Sequence, residues 1–315
     1  MTKYIIKRTL LAFFVIWAVA TLVFFGLRAV PGDPVGALLA DVDPAQAAVI
    51  RAKLGLDQPV PIQYLFWLRN TLQGDLGQSI YGSHQPVSLI ISEALPRTMS
   101  LATLAFVISF GLGLVAGIIS AVKKYSLLDT VVTLIAFIGL SMPAFWLGIM
   151  LIMLFAVRLN WLPAIGYEPL SAGFWPWFSH LILPALAIGL PFSAIIMRIT
   201  RSSMLEVLQE DYIRVARAKG LNETFVVGRH AFRNALIPIV TVTGIALALL
   251  VTGAVVVENV FAIKGLGRVL ITSIINRDYP IVQGSILVVS LIFVFTNLAV
   301  DILYTVVDPR IRYEE

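Results

Sequence analysis

Six uncharged apolar runs, at residues 9–27, 98–122, 130–157, 181–197, 234–257 and 279–300, constrain this chain more than any other feature. Each is close to or longer than the roughly 17–25 residues a helix needs to cross a hydrocarbon layer. A transmembrane barrel would instead alternate over segments of about 10 residues. The runs predict an all-α polytopic membrane protein with six spans. Charged residues make up only 13% of the chain, against about 25% in soluble domains. The first run could be mistaken for a cleaved leader, because Lys3, Lys7 and Arg8 precede it and Ala18-Val19-Ala20 resembles a cleavage site. It continues through Phe25, longer than the roughly 7–15 residues of a leader's apolar core, so it reads as a retained span.

The net charge of +5 raises the question of nucleic acid, and its distribution excludes it. Lys3, Lys7, Arg8, Lys123, Lys124, Arg310 and Arg312 fall on one side of a six-span arrangement, together with a polar bridge at 198–233. The bridge contributes Arg198, Arg201, Arg214, Arg217, Lys219, Arg229 and Arg233. The positive-inside rule then places both termini and the bridge in the cytoplasm, against lipid. There are no cysteines, hence no disulfide and no thiolate metal site.

Residues 30–97 form an external segment. Pro31-Gly32-Asp33-Pro34 stops the first span, Asp43 caps a short helix ending near Gly55, and a second helix from Pro61 carries Ile62, Leu65, Phe66 and Leu72. The organisation is a first span with external segment (1–97), a five-helix core (98–305) and a tail (306–315). Pro143 lies inside the third span and predicts a kink. Trp161, Trp175 and Trp177 in the following loop suit an interfacial belt. Glu258, Asn259 and Phe261 lead into Gly265 and Gly267, a pair expected to fold the backbone back sharply over the outer mouth of a pathway. Glu258 is expected to be reached by water or paired with Lys264 or Arg268.

No phosphate-binding G-x-x-x-x-G-K-[ST] occurs, no His and Glu share metal-ligand spacing, and no nucleophile motif appears. The chain is expected to have no catalytic residue, no metal and no cofactor of its own. Ion-coupled transporters usually carry ionisable residues within their spans; here the span centres are uncharged, with Glu258 and Asp301 only near the ends. If solute moves, its energy comes from outside the chain.

The bridge is too long for a tight turn and too charged for lipid. Leu205, Leu208, Tyr212 and Val215 recur at helical spacing, Gly220 interrupts, and Asn222 can cap a second helix with Phe225, Phe232 and Leu236. One reading is an amphipathic loop lying on the headgroups; the other is an elbow gripped by a soluble partner.

The motifs Ala216-Arg217-Ala218-Lys219-Gly220-Leu221 and His230-Ala231-Phe232-Arg233-Asn234-Ala235-Leu236-Ile237-Pro238 resemble the EAA loop of permease subunits of bacterial ABC importers, in the dipeptide, oligopeptide and nickel group. Leu54-Gly55-Leu56-Asp57-Gln58-Pro59, Gly74-Asp75-Leu76-Gly77, Arg277-Asp278-Tyr279-Pro280 and Asp308-Pro309-Arg310-Ile311-Arg312 extend the likeness over nearly the whole chain. Arg214 stands where the loop's naming glutamate would fall, as is usual in the peptide group, and Lys264 stands where a proline often precedes the glycine pair.

The resemblance implies a type I importer fold in the bacterial inner membrane. It implies coupling through Ala216, Arg217, Ala218, Lys219, Gly220, Leu221, Glu223 and His230 to two cytoplasmic ATPase subunits, which would hold ATP and magnesium. A homologous second permease would complete the pathway, and an external substrate-binding protein would deliver di- or oligopeptides. Nickel chelates or glutathione are the alternative cargo; a stand-alone secondary transporter or channel is the alternative class.

Overall fold

A computed structural model describes residues 2–29, 57–81 and 84–307, with side chains described from Ile6 to Ile302 within these ranges. The motif at 31–34, the helix expected between Asp43 and Gly55, and the 308–312 tail lie outside the described residues. Among the described residues there is no strand, and ten helices follow one another beside a 3-10 turn at Leu170–Ala172: α1 (Thr2–Ala29), α2 (Val60–Leu72), α3 (Val87–Val122), α4 (Leu127–Ser141), α5 (Ala144–Arg158), α6 (Phe174–Leu208), α7 (Asp211–Ala218), α8 (Glu223–Val260), α9 (Leu266–Ile275) and α10 (Tyr279–Val307).

Five of these, α1, α3, α6, α8 and α10, are long and apolar enough to cross a membrane. The sixth expected span is the pair α4 and α5, bent by 106°. Pro143 therefore breaks the run rather than kinking it. Met142 and Pro143 are both extended, with ψ of 127° and 136°. Proline clashes with a helical residue before it and has no N–H to continue the ladder. Two expected boundaries also shift. Helix α3 starts at Val87 and carries Pro96 and Arg97 within it, so the position 97/98 falls inside a helix. Helix α6 runs on to Leu208, so the first part of the polar bridge is a shaft continuous with the fourth span. At 36 residues, α3 is about 54 Å long, and its ends stand outside a hydrocarbon core of about 30 Å.

The centre of the molecule is α3 laid against α6. Every fourth residue of α3 is small and buried: Ala105, Ser109, Gly113, Gly117, Ala121. A Cβ at Gly113 would stand 2.7 Å from the Ser193 carbonyl oxygen, and one at Gly189 of α6 would stand 2.9 Å from that of Ala105. Between helices already surrounded by apolar material, such close backbone approach supplies the packing energy. Leu101, Leu181, Ile188, Leu250 and Phe261 complete the buried core. Large exposed side chains cover α1 (Leu10, Phe13, Phe14, Trp17, Leu22) and α4 (Leu134, Ile135, Phe137), a surface suited to lipid. Trp161 and Trp175 are exposed, as an interfacial belt requires, whereas Trp177 is packed against the core.

Charged contacts lie toward helix ends. Arg8 of α1 meets Asp301 of α10 at 3.2 Å. Asp278, 1% exposed, accepts from Ser79 Oγ at 2.5 Å and from the Tyr81 N–H at 3.1 Å, fastening the segment before α3 to the start of α10.

Candidate functional site: the polar elbow and the glycine turn

The elbow begins where α6 ends. Gln209 and Glu210 close its last turn, and α7 starts with Asp211, an acidic residue that favours a helix N-terminus. Gly220 stops α7. Its φ is +77°, its N–H donates to the Arg217 carbonyl at 2.9 Å and the Leu221 N–H reaches that of Ala216 at 3.4 Å. This left-handed helix end is the geometry for which glycine is preferred. Asn222 then caps α8, its side-chain oxygen accepting from the Thr224 N–H at 3.0 Å, as expected.

Arg217 and Glu223 bridge the corner. Arg217 Nη2 donates to Glu223 Oε1 at 2.7 Å and Nε to Oε2 at 3.0 Å, and this hydrogen bonding raises the arginine above its ordinary value. Both side chains are about half exposed, so the pair fixes an angle more than it adds stability, about 0–1 kcal/mol. Stability comes from below. Ile213 and Ala216 of α7 pack with Met204 of α6, with Val226, Ala231, Ala235 and Ile239 of α8, and with Ala121 of α3. Asn234 Nδ2 donates to the Tyr212 hydroxyl at 2.8 Å. His230 lies edge-on to Phe225, centroids 5.5 Å apart.

The expected stripe of Leu205, Leu208, Tyr212 and Val215 is divided. The two leucines belong to α6 and are partly buried, while Tyr212 and Val215 sit on α7 and are exposed, as are Ala218, Lys219, Gly220, Leu221 and Phe225. The buried face uses Met204, Ile213 and Ala216 instead. The result is a rigid, packed corner that shows apolar and basic side chains to the outside.

The turn at 258–267, expected at the outer mouth, departs from the sequence reading in its physics. Glu258 is fully buried, not water-reached, and forms no side-chain pair with Lys264 or Arg268. Its Oε2 accepts from the Gly267 N–H at 2.8 Å and the Arg268 N–H at 3.1 Å, and its Oε1 accepts from Thr98 Oγ1 at 2.6 Å. Thr98 Oγ1 in turn accepts from the Leu266 N–H at 2.8 Å. The carboxylate thus closes the N-terminus of α9, taking donors that a helix otherwise leaves open.

Gly265 and Gly267 are not reversal points. Gly265 has φ −90° and ψ −177°, open to any residue, and the left-handed position is Ala262, φ +54°. Both glycines are there for space: a Cβ at Gly265 would strike the Glu258 carboxylate, and one at Gly267 would strike Val255. Phe261 is 1% exposed and fills a hollow at Gly148 of α5, where a Cβ would stand 2.9 Å from its ring. Asn259 and Lys264 are the exposed residues of the turn. Helix α9 had no expectation attached to it, although Leu266, Leu270 and Ile274 repeat at helical spacing. No cluster of metal-ligating side chains occurs among the described residues.

Two family models cover almost the whole chain. Residues 1–102 match the N-terminal part of a binding-protein-dependent transport system membrane component, and residues 113–313 match the binding-protein-dependent transport system inner membrane component. The chain belongs to this family of permeases. It is 40% identical over 316 residues to the oligopeptide transport system permease protein AppB of Bacillus subtilis, covering 99% of this chain and 100% of that one. It is 42% identical over 315 residues to the glutathione transport system permease protein GsiC of Escherichia coli, covering all of both. Among solved structures, an inward-facing form of the MetNI methionine ABC transporter matches with a TM-score of 0.58 at 21% identity, over 70% of this chain and 97% of that one. At that identity the likeness concerns the fold, the type I importer permease fold. As a permease of this family the chain is a multi-pass inner-membrane protein.

Proposed function

We propose that this permease forms half of the translocation pathway of an ATP-driven importer of di- or oligopeptides, and that the elbow 211–231 is where cytoplasmic ATPase subunits grip it. The observation that carries the coupling is the corner itself. Tyr212, Val215, Leu221 and Phe225 are exposed on a frame fixed by Arg217, Gly220 and Asn222. A loop lying on headgroups needs no such frame, whereas a surface that must receive a push does. ATP and magnesium would be held by two partner subunits, a homologous permease would supply the other half of the pathway, and an external binding protein would deliver cargo. The basic residues of the elbow support cytoplasmic termini. Peptide cargo is supported by the oligopeptide relative; the glutathione relative, of similar identity, supports a small peptide-like solute on the same architecture.

Helix α8 offers a face for the pathway. Ile245, Leu249, Thr252, Val256 and Asn259 are exposed at alternating spacings of four and three residues, a single stripe on the second half of the helix, where the other positions are buried or partly buried.

The test uses two variants in the complex reconstituted with its ATPase subunits and binding protein. Gly220→Pro removes a donor and the positive φ; Ala218→Trp puts bulk on an exposed position without disturbing the packed face. Both should insert normally and lose stimulation of ATP hydrolysis by loaded binding protein. Normal stimulation in both would overturn the elbow as the coupling site.

A further inference from the structure

Helix α4 is mostly outside the packed body, and its single buried residue is Asp129, in its first turn. The rest of its inner side is smooth. Val132, Ala136 and Gly139 are half covered, and a Cβ at Gly139 would only just reach the Leu190 carbonyl, 3.9 Å away. Such a face offers little resistance to sliding, so α4 is held along its length mainly by what Asp129 binds.

Asp129 binds Arg201 of α6 through both oxygens. Arg201 Nε donates to Oδ1 and Nη2 to Oδ2, each at 2.8 Å. Ser120 of α3 donates its hydroxyl to Oδ1, and the Tyr125 N–H donates to Oδ2 at 3.0 Å. Fork-to-fork geometry fixes direction as well as distance, which a lysine could not do. Arg201 stands seven residues before the end of α6 at Leu208, about 10 Å up the shaft from the elbow. At its other end α4 stops at the Met142–Pro143 break, and α5 beyond it holds Phe261 of the outer turn against Gly148. One end of α4 is thus clamped to the elbow's shaft and the other ends in a hinge next to the outer turn.

We infer that the Asp129–Arg201 pair is the positioning contact that carries movement of the elbow into α4, making α4 a lever that turns at Met142–Pro143. This rests on the elbow being the coupling site. A pair that only staples the fold would be indifferent to the transport cycle.

The cysteine-free chain allows the distinction to be measured. Spin labels at Leu134→Cys and Ile149→Cys, both exposed, report the hinge. Labels at Glu206→Cys and Ile274→Cys, both exposed, report the α6 shaft against the outer face. In the complex with its ATPase subunits, trapping with magnesium, ATP and vanadate should shift both distances. In Asp129→Asn and in Arg201→Gln the shaft distance should still shift and the hinge distance should not. Uptake should fall at least about tenfold while ATPase subunits remain bound. A hinge that shifts in those variants as it does in the native chain overturns the inference, as does a native hinge that stays still. If no ATPase subunit co-purifies and the shaft does not move, the coupling site itself is wrong, and the inference falls with it. Should the variants fail to fold, labels at Leu128→Cys and Ser202→Cys beside the intact pair decide the matter. Their distance should stay fixed between states, and opening by several ångströms on trapping would overturn the clamp.

Discussion

Replacing Glu258 by glutamine should loosen α9 and little else. The native carboxylate accepts three hydrogen bonds, from the Gly267 and Arg268 N–H groups and from Thr98 Oγ1. A glutamine can keep its oxygen on the two backbone donors, but its amide then faces Thr98. That hydroxyl accepts from the Leu266 N–H and can accept from the amide with its second lone pair, but an amide NH2 cannot take the hydroxyl's own proton, which loses its acceptor. Hydrogen bonds to a charged group contribute about 1.5–3 kcal/mol and neutral ones about 0.5–1.5 kcal/mol. The two weakened backbone bonds and the unsatisfied hydroxyl proton come to about 2 kcal/mol or more on that scale. At 1.4 kcal/mol per decade, local opening of the first turn of α9 should become roughly 30-fold more frequent. Amide hydrogen exchange of peptides covering residues 266–275, on protein in lipid nanodiscs, measures this directly, with the α7 segment as internal reference. Thr98→Val, which leaves the carboxylate on its two backbone donors but takes the acceptor from the Leu266 N–H, should give a comparable rise. A change of less than about threefold in Glu258→Gln would refute the claim that this carboxylate holds the helix.

Asp301→Asn should cost about 1 kcal/mol or less in thermal unfolding of the complex and leave the cargo profile unchanged, because its partner Arg8 is nearly half exposed; a changed profile in uptake assays would place Asp301 in the pathway. Cysteines at Asn259 and Lys264, the exposed residues of the outer turn, should react from outside with a membrane-impermeant thiol reagent. A cysteine at Phe261 should stay protected in the resting complex, since that position is buried; labelling confined to the cytoplasmic side would reverse the topology.

The apolar runs predicted the helical membrane class because the length of a span is set by the bilayer and is visible in one dimension. The elbow was legible for the same local reason: Gly220 and Asn222 act on neighbours within a few residues, and both behave as their chemistry predicts. Contacts between distant segments were not legible. Ser79 and Asp278 are 199 positions apart and Arg201 and Asp129 are 72 apart; no local pattern joins them. Gly265 and Gly267 show the intermediate case. Their importance was evident in the sequence, but its cause is the nearness of Glu258 and Val255, which only the folded chain displays. The four-residue ladder of small residues from Ala105 to Ala121 is present in the sequence, but a uniformly apolar span does not reveal which face is inward.

The placement of polar contacts bears on how such a molecule can move. Asp129 joins α3, α4 and α6; Glu258 joins α8 and α9 to Thr98 of α3; Asp278 joins the segment before α3 to α10; Asp301 joins α10 to α1. Each acts toward a helix end. Toward the middle the helices meet through glycine and other small residues, as at Gly113 against Ser193 and Gly189 against Ala105. A hydrogen-bonded ion pair resists displacement in every direction, whereas a smooth steric contact resists approach but permits rotation and sliding. Fastened ends with smooth middles therefore favour motion of helices as rigid pieces about fixed joints. Among the described residues no carboxylate spans the Met142–Pro143 break, and two extended residues in place of a helical ladder leave that joint freer to turn than the fastened ends.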